Sequence, residues 1–339
     1  MSMIKDVAAK AGVSPSTVSL VLNNKPGISA DTRELVIRTA QEMGYSTERP
    51  QRPAARTAKM RSIQFILYKK HGQIVADTPF FTYLLEGVQQ QARKHGMSLL
   101  ISYINESGNV EEQLQSVLDT GCAGLLLLAT EMDEKDITPF VRCGLPLVVV
   151  DKWVKKHDVD SVLMNNCQGA YAAVEYLIKS GFSEIGYLQS SVKISNFAER
   201  SIGYHKALAD YAHADNAAYC FEIGSTAESA YADMKKIIES GKALPQAFFA
   251  DNDVLALGAL RALREAGKQV PEEVSLIGFD DVPMCELSTP TLTSIRVEKE
   301  YIGRMAVDRL AERIENPHQP SVHIEVNNRL IARDSVKNS

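Results

Sequence analysis

Apolar positions in the first 45 residues recur at helical spacing, and the rhythm changes further along the chain. Ile4, Val7, Ala8 and Ala11 share one helical face, and Gly12 stands where a left-handed residue closes a helix. In the stretch AGVSPSTVSLVLNN, residues 11–24, Ser14 takes the capping position of a second helix. Pro15 takes that helix's first position, where its missing N–H costs nothing. The run NNKPG (23–27) breaks the chain, and Ser29 starts a third helix with Thr32, Leu35, Val36, Ala40 and Met43 recurring before Gly44. Two helices joined by a short glycine-containing turn, with a supporting third, form the helix-turn-helix pattern. From Ile63 the pattern becomes apolar runs separated by amphipathic stretches. The runs are 63–67, 98–104, 123–129, 145–150, 161–164, 184–188, 246–250 and 274–279; helices are expected over 81–95, 109–119, 168–180, 198–212, 226–240, 253–266 and 299–315. Strands apolar throughout and alternating with helices predict a doubly wound parallel sheet. Eight such strands suit two lobes better than one, with helix 299–315 crossing back between them.

Composition adds boundaries. A chain of 339 residues exceeds one ordinary core and implies two or three folding units. No apolar run approaches the ~18 residues of a membrane helix, and the opening MSMIKDVAAKAG has no secretory apolar run. Cys122, Cys143, Cys167, Cys220 and Cys285 are odd in number and show no C-x-x-C, as befits reduced thiols in a cytoplasm. The net charge of −5 is unevenly spread: residues 1–61 hold 10 basic and 5 acidic side chains, the remainder 27 and 37. A basic head on an acidic body points to a polyanion partner for the head alone. Residues 46–61 (STERPQRPAARTAKMR) read as a linker with five basic residues and two prolines.

Catalytic patterns are missing. No G-x-G-x-x-G follows a strand, and there is no G-x-x-x-x-G-K-[ST], no G-x-S-x-G and no metal spacing among the seven histidines. Asp280-Asp281 after a strand lacks a partnering lysine or second acidic cluster at a recognisable place. The body therefore reads as a binder, not an enzyme, with no cofactor.

The motif A-G-V-S-x-x-T-V-S-x-V-L-N, filled by Ala11 through Asn23, resembles the lactose-repressor (LacI/GalR) family of bacterial transcription regulators. The resemblance runs from Ile4-Lys5-Asp6-Val7-Ala8 to Gly44-Tyr45. It continues through PFF (79–81), LPLVVVD (145–151), AERSIGYHKAL (198–208), ADNDVLALGALRALREAG (250–267), VPEEVSLIGFDD (270–281) and TPTLTSI (289–295). It implies a helix-turn-helix head (1–46), a hinge linker (47–62) and a body (63–339) of two periplasmic-binding-protein-like lobes, 63–160 plus 291–320 and 161–290 plus 321–339. It further implies a homodimer on a pseudo-palindromic double-stranded DNA operator, a repressor gated by a small sugar-like effector, with no membrane role. A solute-binding protein without a DNA role is the rival; the basic head and the lack of a secretory run argue against it.

By position in the motif, Pro15, Ser16 and Leu20 would read bases, while Ser14, Thr17, Ser19 and Asn23 would hold the phosphate backbone or the turn. Thr17 equally suits a packed residue bonding its own helix. Many members carry arginine at the position of Leu20; leucine can only meet a thymine methyl or exclude a polar edge. Where members place a leucine wedge in the hinge, this chain has Pro53, Ala54 and Ala55, so Arg52, Arg56, Lys59 and Arg61 would carry more of the phosphate contact, or the segment is a plain basic tether. In the cleft the resemblance implies Phe80 and Phe81 as an aromatic wall, with Asp151, Arg200, Asn252 and Asp280 for hydroxyl groups. Asp253 is an alternative cap for its helix. Members often have an aromatic near Ser225; Trp153 either replaces it or covers the lobe edge.

Overall fold

The computed structural model describes residues 3–22, 28–43, 61–74, 79–211 and 219–337. The chain divides into two units, Met1–Lys59 and Met60–Ser339.

The first unit contains α1 (Met3–Ala11), α2 (Pro15–Leu22) and α3 (Ala30–Glu42). Gly12 (φ 69°) ends α1, and the Val13 N–H reaches back to the Ala8 carbonyl at 3.0 Å. Ser14 then caps α2: its Oγ accepts the Thr17 N–H at 3.1 Å and shares hydrogen bonds with the Ser16 and Thr17 hydroxyls at 2.7 and 2.8 Å. Ser29 repeats the device on α3, accepting from the Thr32 N–H at 3.3 Å. Val7, Ala8, Ala11, Val18, Val21, Val36 and Ala40 form the core, with Val13, Leu22, Ile28 and Ile37 at its edge. Ile4, Leu35 and Met43, expected on the core faces, are instead exposed. Three short helices share only a narrow common surface, and Met43 lies past the end of α3. Asn23, the 23–27 turn and the hinge positions Arg52, Pro53, Ala54, Ala55, Arg56 and Lys59 lie outside the described residues.

The second unit is built on two six-stranded sheets. The first contains β1 (Ser62–Lys69), β2 (Ser98–Asn105), β3 (Leu125–Leu128), β4 (Leu147–Val150), β5 (Asp160–Met164) and β11 (His323–Val326). Their order is β11-β5-β4-β3-β1-β2, all parallel. The second contains β6 (Ile185–Ser190), β7 (Cys220–Ile223), β8 (Ala247–Ala250), β9 (Ser275–Asp280), β10 (Thr293–Arg296) and β12 (Arg329–Ile331). Its order is β12-β10-β9-β8-β6-β7, parallel except for β12. Around them lie α4 (Phe80–Lys94), α5 (Val110–Leu118), α6 (Thr138–Arg142), α7 (Asn166–Lys179), α8 (Ser195–Asp210), α9 (Ala227–Glu239), α10 (Asp253–Glu265), α11 (Met284–Leu287) and α12 (Lys299–Glu315).

All eight expected strands form, and they occupy all but one of the interior places. The four additional ones, β7, β10, β11 and β12, are short and carry polar residues, so no continuous apolar run announces them. Pairing also moves the lobe boundaries. β5, expected in the second lobe, pairs with β4 in the first sheet. β10, expected in the first, pairs with β9 in the second. β11, expected in the second, pairs with β5 in the first. Helix α12 does not lie between the lobes; it packs along α4 and the strands of the first sheet. The chain thus passes between sheets three times, after β5, after β10 and between β11 and β12. Fully buried parallel strands look alike in sequence whichever sheet receives them, so pairing alone settles membership.

Candidate binding sites

On the head, α2 separates into two faces. Val18 and Val21 are buried, whereas Ser16 and Leu20, one turn apart, point outward with Pro15; Leu20 is 39% exposed. Thr17 and Ser19 are half-buried. The Thr17 hydroxyl is engaged with Ser14, which favours its helix-bonding reading.

On the body, the site forms where strands end. Thr130 follows β3, Asp151 follows β4, Asn252 follows β8 and Asp280 closes β9, at the carboxyl ends of parallel strands, where open sheets bind ligands. The same cavity is lined by Phe80, Phe81, Arg200, Ile74, Ile194, Asn196 and Phe197. Its volume is ≈ 30 Å³, room for about one water, so the lobes stand closed on one another. Phe80 and Phe81 meet edge to face with centroids 5.1 Å apart. The backbone is left-handed at Asp151 (φ 64°), Asp280 (φ 107°) and Asp281 (φ 51°). Non-glycine residues adopt that region at a cost and concentrate there at functional sites.

Arg200 is the centre of the polar network and only 3% exposed. It donates from Nε to Asn166 Oδ1 at 2.9 Å, from Nη1 to the Asp251 carbonyl and from Nη2 to Asp280 Oδ1 at 3.3 Å. Its guanidinium lies 3.7 Å from the centroid of the Phe279 ring. Asp151 accepts from the Thr130 hydroxyl at 2.5 Å and, across the cleft, from Asn196 Nδ2 at 2.9 Å. Asn252, not Asp253, caps α10, its Oδ1 accepting the Leu255 N–H at 3.0 Å. Asp253 is instead buried, accepting from the Val282 N–H at 2.9 Å and the Ser294 hydroxyl at 2.6 Å. It braces the strained turn after β9. Gly278 makes room for it, since a Cβ there would lie 2.1 Å from Asp253 Oδ1.

Burial raises Asp151 and Asp251 to about 6, against the pull of their hydrogen-bond donors and Arg200. It raises Asp253, with the Asp280 charge adding, to about 7. Asp280 is raised by burial too, against Arg200 and Lys299. Such carboxyls bind protons more tightly folded than unfolded, so the stability this confers is present at low pH and lost as pH rises through 6 and 7. The urea midpoint of the body is expected to fall between pH 5 and pH 8, and Asp253→Asn to flatten that slope. A midpoint that rises over this range would contradict the assignment.

The placement of Trp153 in the cleft is corrected, and its lobe-edge reading holds. Trp153 does not line the cavity: 42% exposed, it lies tilted at 36° against His323 with ring centroids 5.0 Å apart, and Lys155 Nζ is 4.4 Å from its centroid. The left-handed turn at Asp151 carries the chain out to the lobe edge before Trp153 is reached. Ser225 is buried, and its hydroxyl donates to Gln73 Oε1 at 3.1 Å. Six lining residues are absent from the sequence reading: Ile74, Thr130, Met164, Ile194, Asn196 and Phe197. Asn196 stands one helical turn before Arg200, and Thr130 follows the end of a strand; those signals were available.

Residues 3–48 match the bacterial regulatory proteins of the lacI family, and residues 174–336 match the periplasmic binding protein-like domain. The chain is 32% identical to the HTH-type transcriptional repressor PurR of Pasteurella multocida (strain Pm70), covering 99% of each. It is 30% identical to the ribose operon repressor of Haemophilus influenzae, again covering 99% of each. Among solved structures, the transcriptional regulator CelR in complex with cellobiose is 27% identical with a TM-score of 0.73, over 98% of this chain and 99% of that one. The lac repressor dimer bound to operator and the anti-inducer ONPF is 26% identical with a TM-score of 0.71, over 97% of both. Head, body and full-length similarity agree, and the chain belongs to the lacI family of bacterial transcriptional regulators.

Proposed function

We propose that this regulator is a repressor whose hold on a pseudo-palindromic operator is set by a small sugar bound between the lobes. The observation that carries the reading is the convergence of Asp151, Arg200, Asn196, Asn252 and Asp280 with Phe80, Phe81 and Phe197 on one interlobe cavity. Carboxylates, amides and a guanidinium satisfy hydroxyls, and aromatic faces take the C–H surface of a sugar ring. Among the relatives, one is named for a ribose operon and another is solved with cellobiose. A ligand of monosaccharide size enters only as the lobes part, so binding shifts the balance between lobe arrangements. Two copies acting together would pair the heads on two half-sites, each with Pro15, Ser16 and Leu20 toward the bases and Ser14, Thr17 and Ser19 toward the backbone. Asn23, Arg52 and Arg56 belong to the same contact in this reading. Apolar surface for a second copy is present at Leu100, Ile101 and Tyr103 on edge strand β2 and at Met284 and Leu287 on α11, where Leu287 is 81% exposed.

The test selects duplexes from a random pool with the full chain, then challenges the complex with pentoses, hexoses and disaccharides. Binding is expected to weaken steeply with salt, and one sugar to change affinity by about 5–150-fold. A chain that ignores duplex DNA at low salt, with and without sugars, would falsify the reading.

A further inference from the structure

Besides the Asn196–Asp151 bond, a second group of residues reaches across the cleft. Buried Glu131, just past β3, gathers a loop of the first lobe around its carboxylate. Its Oε2 accepts the N–H groups of Lys70 (2.9 Å), His71 (3.2 Å) and Gly72 (2.8 Å), and its Oε1 that of Ile74 (3.0 Å). Burial works to raise the Glu131 pKa, and these N–H bonds more than offset it, holding the carboxyl below the ordinary range. Lys70 anchors the loop a second time through Asp133 (2.6 Å), Asp136 (3.2 Å) and Glu106 (3.3 Å). Every one of these contacts stays within the first lobe.

What the loop presents to the other lobe is Gln73 and Ile74. Gln73 Oε1 accepts from the Ser225 hydroxyl, beyond the end of β7, at 3.1 Å. Ile74 packs with Ile194, Phe197 and Val192 at the start of α8. Gln73 and Ser225 do not line the cavity, so their bond needs nothing bound there.

We propose that residues 70–74, pinned on Glu131, form a clasp that holds the lobes together without a ligand, Gln73–Ser225 being its polar catch and Ile74 its apolar one. The consequence for effector exchange rests on the cleft being the effector site, since a ligand would then enter against the clasp; the clasp itself does not. A loop fixed at its base and bonded across the cleft transmits its order to both lobes, so loosening one side loosens the other.

Amide hydrogen exchange on the full chain, with no sugar added, tests this. Gln73→Ala and Ser225→Ala should each speed exchange about 2–10-fold, the worth of one net hydrogen bond, in both 70–74 and 191–198. Exchange in the interior of α10, 255–263, should not change. A change confined to the substituted residue's own segment, no change at all, or a uniform rise that includes 255–263 would overturn the clasp. Because no ligand is used, a wrong effector assignment would leave this result untouched.

Discussion

Arg200→Ala is expected to destabilise the body by about 3–5 kcal/mol, the usual consequence of removing one partner from a buried ion pair, and to abolish its response to any sugar. The substitution strips Asn166 Oδ1, the Asp251 carbonyl and Asp280 of a common donor. It also removes the positive charge that opposes desolvation of Asp151, Asp251 and Asp280, so all three would hold protons to still higher pH. Arg200→Lys keeps the charge but not the planar fork that serves three acceptors at once, and should fall between the two. Urea unfolding at fixed pH measures both. A loss below about 1 kcal/mol for Arg200→Ala would mean that water enters and replaces the guanidinium, and that the site is wetter than its burial indicates.

Leu20→Arg should redirect the head to a different half-site. Leucine offers a thymine methyl an apolar contact and gives a guanine edge nothing, whereas arginine makes a bidentate pair with guanine worth about 1–3 kcal/mol of discrimination. Leu20 stands exposed, one turn from Ser16, on the face opposite Val18 and Val21, so the substitution leaves the three-helix core alone. Selection from a random duplex pool with wild-type and variant chains should yield a guanine in the variant's half-site where the wild type lacks one. The same consensus from both would show that residue 20 does not face a base.

The value of these two substitutions differs with how each residue could be read. The capping and turn chemistry of the head is local: Ser14, Pro15, Gly12 and Ser29 act within four residues of themselves, and their roles in the structure are those their order suggests. The central strands of the body other than β10 were equally legible, because strands buried on both faces are mostly apolar throughout; β10 is central and buried yet reads TSIR. Phe80, Phe81, Asp151, Arg200, Asn252 and Asp280 were named through family resemblance and meet at one cavity. Trp153 was named on proximity to Asp151 along the chain, and the left-handed turn between them defeats that argument.

The sequence by itself determined the helical head, the basic-to-acidic division and the parallel α/β body, since each follows from local propensity, charge or the demands of burial. Tertiary structure alone decided which sheet receives β5, β10 and β11, which carboxylate pairs with Arg200, and that Ser225 answers Gln73 across the cleft. Those are pairings between residues up to 162 positions apart. Nothing in a local pattern selects among equally apolar strands or equally polar partners; sheet assembly within each lobe, and for Gln73–Ser225 the meeting of the two lobes, brings one set within hydrogen-bonding distance.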